Sequence, residues 1–104
     1  MIYELRIYHS AEGKFQNLCD RFKNDTFALF EKHGMEVVDF WVDAEEKNRL
    51  YYTLAFSSIE DYRQKWKAFG SDPKWQEIVT RTEANGPIVE KIDSYLLEKA
   101  PFFK

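Results

Sequence analysis

Between Trp66 and Pro87 the chain reads W-K-A-F-G-S-D-P-K-W-Q-E-I-V-T-R-T-E-A-N-G-P, the stretch that most restricts the folds open to it. It holds two of the three tryptophans, two of the four glycines and two of the three prolines. Gly70 reads as the end of one helix. Asp72 reads as the N-cap of a second, with Pro73 at the first helical position, where a missing N–H costs nothing. Trp75, Ile78, Val79 and Thr82 carry the apolar face onward, and Asn85-Gly86-Pro87 forbids continuation. A helix, a break, a short helix and a hard stop make a jointed lid. A lid of this kind needs a flat layer beneath it.

The rest of the chain supplies that layer. Ile2 to His9 alternates, with Tyr3, Leu5 and Ile7 on one face and Ile2, Glu4, Arg6 and Tyr8 on the other, which predicts a strand bulky on both sides. Ser10 to Gly13 is a turn. From Lys14 to His33 the residues Phe15, Leu18, Cys19, Phe22, Thr26, Leu29, Phe30 and His33 form one stripe at helical spacing, stopped by Gly34. Met35 to Asp43 predicts a second strand, with Val38, Phe40 and Val42 on one face and Val37, Asp39 and Trp41 on the other. The polar run D-A-E-E-K-N is a solvated turn, and Glu45 and Glu46 within it lack anything that would raise a carboxyl pKa. Arg49 to Phe56 is a third strand, with Leu50, Tyr52, Leu54 and Phe56 sharing a face. Ser57 and Glu60 then read as a capping box for the helix bearing Ile59, Tyr62, Trp66 and Phe69. Ile88 to Leu97 is a fourth strand, with Ile88, Ile92 and Leu96 on one face and Val89, Tyr95 and Leu97 on the other. The tail A-P-F-F-K is expected to dock Phe102 and Phe103 on some surface.

The order β-α-β-β-α-β is the split βαβ, ferredoxin-like arrangement within a single α+β domain spanning residues 1–104. It predicts a four-stranded antiparallel sheet with the first and third strands central and both helices on one face. The opposite face then carries bulky apolar groups that 104 residues cannot cover with a third layer. A homodimer joined through these sheet faces, a dimeric α/β barrel, is the simplest closure.

Charge and motifs narrow the functional classes. The net charge is −3 with scattered basic residues, so no stripe exists for a nucleic-acid backbone. The single cysteine, Cys19, allows no intrachain disulfide and reads as a small core residue. No apolar run approaches the ~20 residues of a membrane span, and the opening M-I-Y-E-L-R-I-Y is unlike a secretory leader. A soluble, cytoplasmic protein without a membrane partner is expected. His9 and His33 lack metal-like spacing, and phosphate loops, nucleotide fingerprints and nucleophile elbows are missing from the sequence. Neither a metal nor a cofactor is expected.

The candidates that remain are aromatic and cationic. Nine Phe, six Tyr and three Trp exceed what a minimal core needs and suggest an aromatic-lined pocket or interface. Trp41, Tyr52, Trp66 and Trp75 are candidate walls; core packing is the plainer reading. Glu4 and Arg6 share a strand face about 7 Å apart. They form a salt bridge at the dimer interface or toward Glu90, or else Arg6 anchors an anionic or carbonyl group of a ligand. His33, at a helix C-terminus, either caps carbonyls or serves as an acid or base.

The segments Y-E-L-R-I-Y (Tyr3 to Tyr8), His33-Gly34, Val38 to Trp41, Leu50 to Phe56, W-K-A-F-G-S-D-P-K-W-Q (Trp66 to Gln76) and E-A-N-G-P-I-V (Glu83 to Val89) together resemble the NIPSNAP family. The resemblance covers essentially the whole chain, and the D-P-x-W block with its downstream N-G-P is its most specific part; the tail A-P-F-F-K departs from the family's more polar ending. What it implies is a dimeric α/β barrel. Wider relatives include cofactor-independent monooxygenases, haem-using enzymes and lactone isomerases, which hold a ligand between sheet and helices. Combined with the residues above, this predicts a pocket for a small hydrophobic or aromatic ligand under the lid. Arg6 orients the ligand, Tyr8, Trp41, Tyr52, Trp66 and Trp75 line the site, and His33 is the acid/base candidate. Any catalysis is expected to be oxygenase- or isomerase-like and metal-free. The alternative is a non-enzymatic homodimeric protein-interaction module.

Overall fold

The computed structural model describes residues 1–103. In chain order it contains β1 (Ile2–Ser10), α1 (Phe15–Arg21), a π-helical turn (Phe22–Thr26), α2 (Phe27–Lys32), β2 (Glu36–Val42), β3 (Arg49–Phe56), α3 (Ile59–Ser71), α4 (Pro73–Thr82) and β4 (Val89–Leu97). The strands form one antiparallel sheet in the order β2-β3-β1-β4, so β1 and β3 are central as the split βαβ pattern requires. All the helices cover one face. Tyr8, Tyr52, Leu54 and Phe56 from the sheet meet Leu18, Phe22, Phe30, Phe69 and Ile78 from the helices in one core.

The long first helix is interrupted where the stripe predicted continuity. Phe27 donates its N–H to the Phe22 carbonyl, one residue further back than in an α-helix, and the Thr26 hydroxyl donates to the Arg21 carbonyl at 3.3 Å. In a regular helix Arg21 and Thr26 would stand about 140° apart around the axis. The wider turn turns both inward beside Phe22, and all three are at most 5% exposed. The helix then ends in a Schellman motif: Met35 N–H bonds Phe30 O at 2.8 Å and Gly34 N–H bonds Glu31 O at 3.1 Å, with Gly34 at φ 66°.

Two local expectations are corrected. The cap of α3 is Ser58, not Ser57. Its hydroxyl accepts from Asp61 N–H at 3.0 Å, while the Asp61 carboxylate accepts from Ser57 N–H at 3.0 Å, a capping box shifted by one residue. Gly70 does not end α3, which runs on through Ser71. The stop is Asp72, held extended at φ −70°, ψ 122° because Pro73 follows it. Asp72 is thus the C-cap of α3 and the N-cap of α4 at once.

Two strand faces are also re-assigned, each by a bulge. The β2–β3 register slips between Val37 and Asp39, so Val37 and Phe40 share the helix-covered face and Val38 does not. The β1–β4 register slips between His9 and Ser10, so Glu90 is passed over. Val89 then packs on the core together with Ile88, which is 1% exposed, instead of facing away from it. Phe102 and Phe103, expected to dock, are 89% and 77% exposed.

The uncovered face of the sheet is apolar. Tyr3, Leu5 and Ile7 of β1 sit opposite Ala55, Thr53 and Tyr51 of β3 on one side and Leu97, Tyr95 and Asp93 of β4 on the other. Trp41 pairs with Tyr51 at its margin. Val38, Trp41, Tyr95 and Leu97 are each 42–52% exposed. No helix among the described residues is long and apolar enough to cross a membrane.

A candidate ligand site beneath the helical lid

β1 places Glu4, Arg6 and Tyr8 in a row on the helix-covered face, because alternate strand residues share a side. Glu4 is fully buried, which a carboxyl tolerates only when its oxygens are satisfied. They are: Oε1 accepts from the Trp66 indole N–H at 2.6 Å, and Oε2 accepts from Arg6 Nη1 at 3.0 Å and the Ser94 hydroxyl at 2.5 Å. The Glu4–Arg6 pair therefore lies under the helices and not at the outer sheet face, and Glu90 takes no part in it. Arg6 also donates from Nη2 to the Tyr8 hydroxyl at 3.1 Å, and that hydroxyl bonds Tyr52 at 3.0 Å.

The Arg6 guanidinium stacks 4.3 Å from the centre of the Trp66 ring. Burial works against its charge, but the Tyr8 and Tyr52 phenol oxygens and the Glu4 carboxylate outweigh burial and leave the pKa above the ordinary arginine value. Burial foremost, and the neighbouring Tyr8, push the Tyr52 phenol well above its ordinary value, so it remains protonated. On the other side Arg21 donates to Glu83 at 2.9 Å and to the Thr82 hydroxyl at 3.3 Å, and lies 5.2 Å from the Trp75 ring centre. Two guanidinium–indole stacks thus flank the same space.

That space is a cavity of about 310 Å³, at the low end of the roughly 300–1,000 Å³ usual for ligand pockets. Arg6 and Tyr8 come from β1, and Arg21, Phe22 and Thr26 from the π turn and its approach. Trp66 and Phe69 of α3 and Trp75 of α4 close it from above. The rings Phe30, Trp66, Phe69 and Trp75 are in consecutive contact, with centroids 5.9, 5.2 and 4.9 Å apart.

Four residues singled out by the sequence therefore converge here: Arg6, Tyr8, Trp66 and Trp75. Tyr52 is fully buried behind the cavity wall, where its ring packs on Tyr8, Phe22 and Phe30 and its hydroxyl bonds that of Tyr8. Trp41 stands on the opposite sheet face, because the β2 bulge fixes its parity there. His33 stands behind Phe69, their rings 6.0 Å apart, with Nε2 2.7 Å from Asp72 Oδ2. It joins Lys32, which donates to the same oxygen at 2.7 Å. These bonds from Lys32, the Lys74 backbone N–H and His33 hold the Asp72 carboxyl far below the usual range. The sequence reading missed Arg21, Thr26 and Glu83. The only signal for Arg21 was its place three residues after Leu18 and next to Phe22; a π turn has no sequence mark that would have turned it inward. No three His, Cys, Asp or Glu side chains converge as a metal-binding group among the described residues.

The sequence matches NIPSNAP over residues 3–104. The chain belongs to the NIPSNAP family. Among curated proteins none matches it. Solved structures show the same fold. The NIPSNAP family protein Atu4242 from Agrobacterium tumefaciens is 20% identical with a TM-score of 0.84, over 98% of this chain and 96% of that one. An uncharacterised NIPSNAP domain protein from Burkholderia xenovorans is 18% identical with a TM-score of 0.84, over 100% and 99%. More distantly, a putative antibiotic biosynthesis monooxygenase from Nitrosomonas europaea is 12% identical with a TM-score of 0.66, over 95% and 98%. The α+β ferredoxin-like arrangement of this NIPSNAP chain is thus shared well beyond its own family.

Proposed function

We propose that this NIPSNAP protein binds a small, planar, hydrophobic ligand bearing a carbonyl or acidic oxygen in the cavity beneath α3 and α4. The observation that carries this is the joining of two indole–guanidinium stacks, Trp66–Arg6 and Trp75–Arg21, on a single ring-lined space. Flat apolar walls bury a ligand's body, and a few polar groups orient it. The chemistry such a site offers is electrostatic. Arg6, its charge held by its neighbours, stabilises negative charge developing on a ligand oxygen, as an isomerase- or oxygenase-like reaction on an enolate or phenolate requires. The likeness to monooxygenase folds supports that class by analogy of fold alone. His33 and Trp41 have no part in it.

The protein acts as a homodimer in this reading. The exposed Val38, Trp41, Tyr95 and Leu97, with a hollow of about 390 Å³ between Met1, Tyr3 and Leu97, form the face a second sheet would cover. The single cysteine accords with a reducing, cytoplasmic setting. The same apolar face, were it to remain open in solution, would favour the alternative of a protein-interaction module.

Three tryptophans give three indole N–H signals, two at the cavity and one on the far face. Titrating 2-naphthylmethanol into ¹⁵N-labelled protein is expected to move the Trp66 and Trp75 signals and leave Trp41 in place. Movement of Trp41 alone, or of none, overturns the site.

A further inference from the structure

The direction of the hydrogen bonds on the cavity floor constrains the polar group of the ligand, an inference that rests on the binding reading above. The Tyr52 hydroxyl has one hydrogen-bond partner among the described residues, the Tyr8 oxygen. It is fully buried and stays protonated, because burial disfavours the phenolate. A buried donor left without an acceptor is costly, so Tyr52 must donate to Tyr8. Arg6 Nη2 has only donors, so it also donates to Tyr8. The Tyr8 oxygen therefore accepts twice, and a phenol oxygen has two lone pairs. Its own proton then has no acceptor among the described residues.

A second donor stands beside it. Three buried side-chain polar atoms lack a partner among the described residues, and of these Arg6 Nε alone belongs to a cavity residue. Acceptors are scarce at that end. Both Glu4 oxygens are taken by three donors, and Glu83, across the cavity, is held by Arg21. The Thr26 hydroxyl spends its proton on Arg21 O and makes no bond to Tyr8 or Arg6. The floor thus offers an O–H, carries an unpartnered buried N–H on the neighbouring Arg6, and asks for an oxygen in return.

We infer that the ligand presents an acceptor oxygen carrying negative charge, a carboxylate or enolate on a planar apolar body, to the Tyr8 hydroxyl and Arg6. Tyr8 is then a binding donor and not merely an aromatic wall, and the Tyr52 hydroxyl is the positioning group that fixes which way its proton points.

Three naphthalene probes of one shape test this at neutral pH: 2-naphthoate, 2-naphthylmethanol and 2-naphthylmethylammonium, each titrated by calorimetry with the indole signals followed in parallel. Naphthoate is expected to bind at least about tenfold more tightly than naphthylmethanol, and the ammonium most weakly, since a bond to a charged group outweighs a neutral one. Tyr8→Phe is expected to erase about a tenfold advantage of naphthoate while naphthylmethanol still moves the Trp66 and Trp75 signals, which shows the variant's cavity to be intact. Equal binding of all three probes, or an unchanged naphthoate preference in Tyr8→Phe, overturns the oxyanion inference and leaves the cavity standing. Failure of every probe to move either indole overturns the cavity reading, and this inference with it.

Discussion

Glu4 shows how one residue can serve both stability and the site. It has no solvent contact, and it collects donors from β1, β4 and a helix 62 positions away. Breaking a buried charged pair by removing one partner leaves the other unpaired, which costs far more than the pair contributes as a whole. Glu4→Gln keeps the shape but turns an amide against donors. It is expected to lower unfolding free energy by about 3 kcal/mol in urea titration and to loosen the Arg6–Trp66 stack. A loss under about 0.5 kcal/mol, within the range of ordinary surface changes, would show that the network is not holding the sheet to α3. The strand partnership of Glu4 and Arg6 was legible from their spacing, because residues i and i+2 on a strand must share a face. Trp66 and Ser94 as their partners were not, since nothing local to either position records which donor the tertiary fold will bring.

At the level of elements, the helix–sheet alternation was readable because its two periods differ so plainly. The bulges at Val38 and Glu90 were not. A bulge is a mismatch between two strands, so neither strand carries it alone, and each reversed the parity of the residues beyond it. Beyond the β2 bulge Phe40 faces the helices, so Trp41, named among the pocket walls for its ring, stands on the other face. The α3–α4 joint was half legible: Asp72 was readable as a cap, but its ion pair with Lys32 and its hydrogen bond with His33 come from α2 and its end. These make the joint sensitive to acid. The folded-state pKa of Asp72 is depressed, chiefly by the Lys32 bond, then by the Lys74 N–H and His33. Its contribution to stability is therefore complete above the unfolded-state value of about 3.9 and is lost as pH falls toward the folded one. Asp72→Asn keeps an acceptor for Lys74 N–H but loses the charge. Thermal melts of wild type and variant are expected to differ at pH 7 and to converge as the pH drops below about 4. A gap that stays constant with pH would mean that the carboxylate's charge contributes nothing at this joint.

For the molecule as a whole, the helices and the cavity account for one face of the sheet and leave the other open. A patch that joins Tyr3, Leu5, Ile7, Tyr51, Trp41, Tyr95 and Leu97 is apolar and aromatic, the kind of surface that marks an interaction site. A stable interface of standard size buries about 800 Å² on each partner, and a second copy laid on this face is the cover that symmetry makes simplest. The polar groups agree with such a face. His9 pairs with Asp93 at 3.0 Å and the Tyr51 hydroxyl donates to Asp43 at 2.5 Å, so these groups enter an interface already partnered. Light scattering should therefore give twice the chain mass of 12.5 kDa at micromolar concentration. Trp41→Glu places an unpaired charge on the patch without touching the cavity. It is expected to shift the population to monomer while 2-naphthylmethanol still moves the Trp66 and Trp75 signals, because the cavity lies on the helix-covered side of the sheet and Trp41 on the other. A wild type that runs as a monomer removes the barrel assembly. A Trp41→Glu monomer that has lost the probe would instead tie the cavity's shape to the pairing of the sheets.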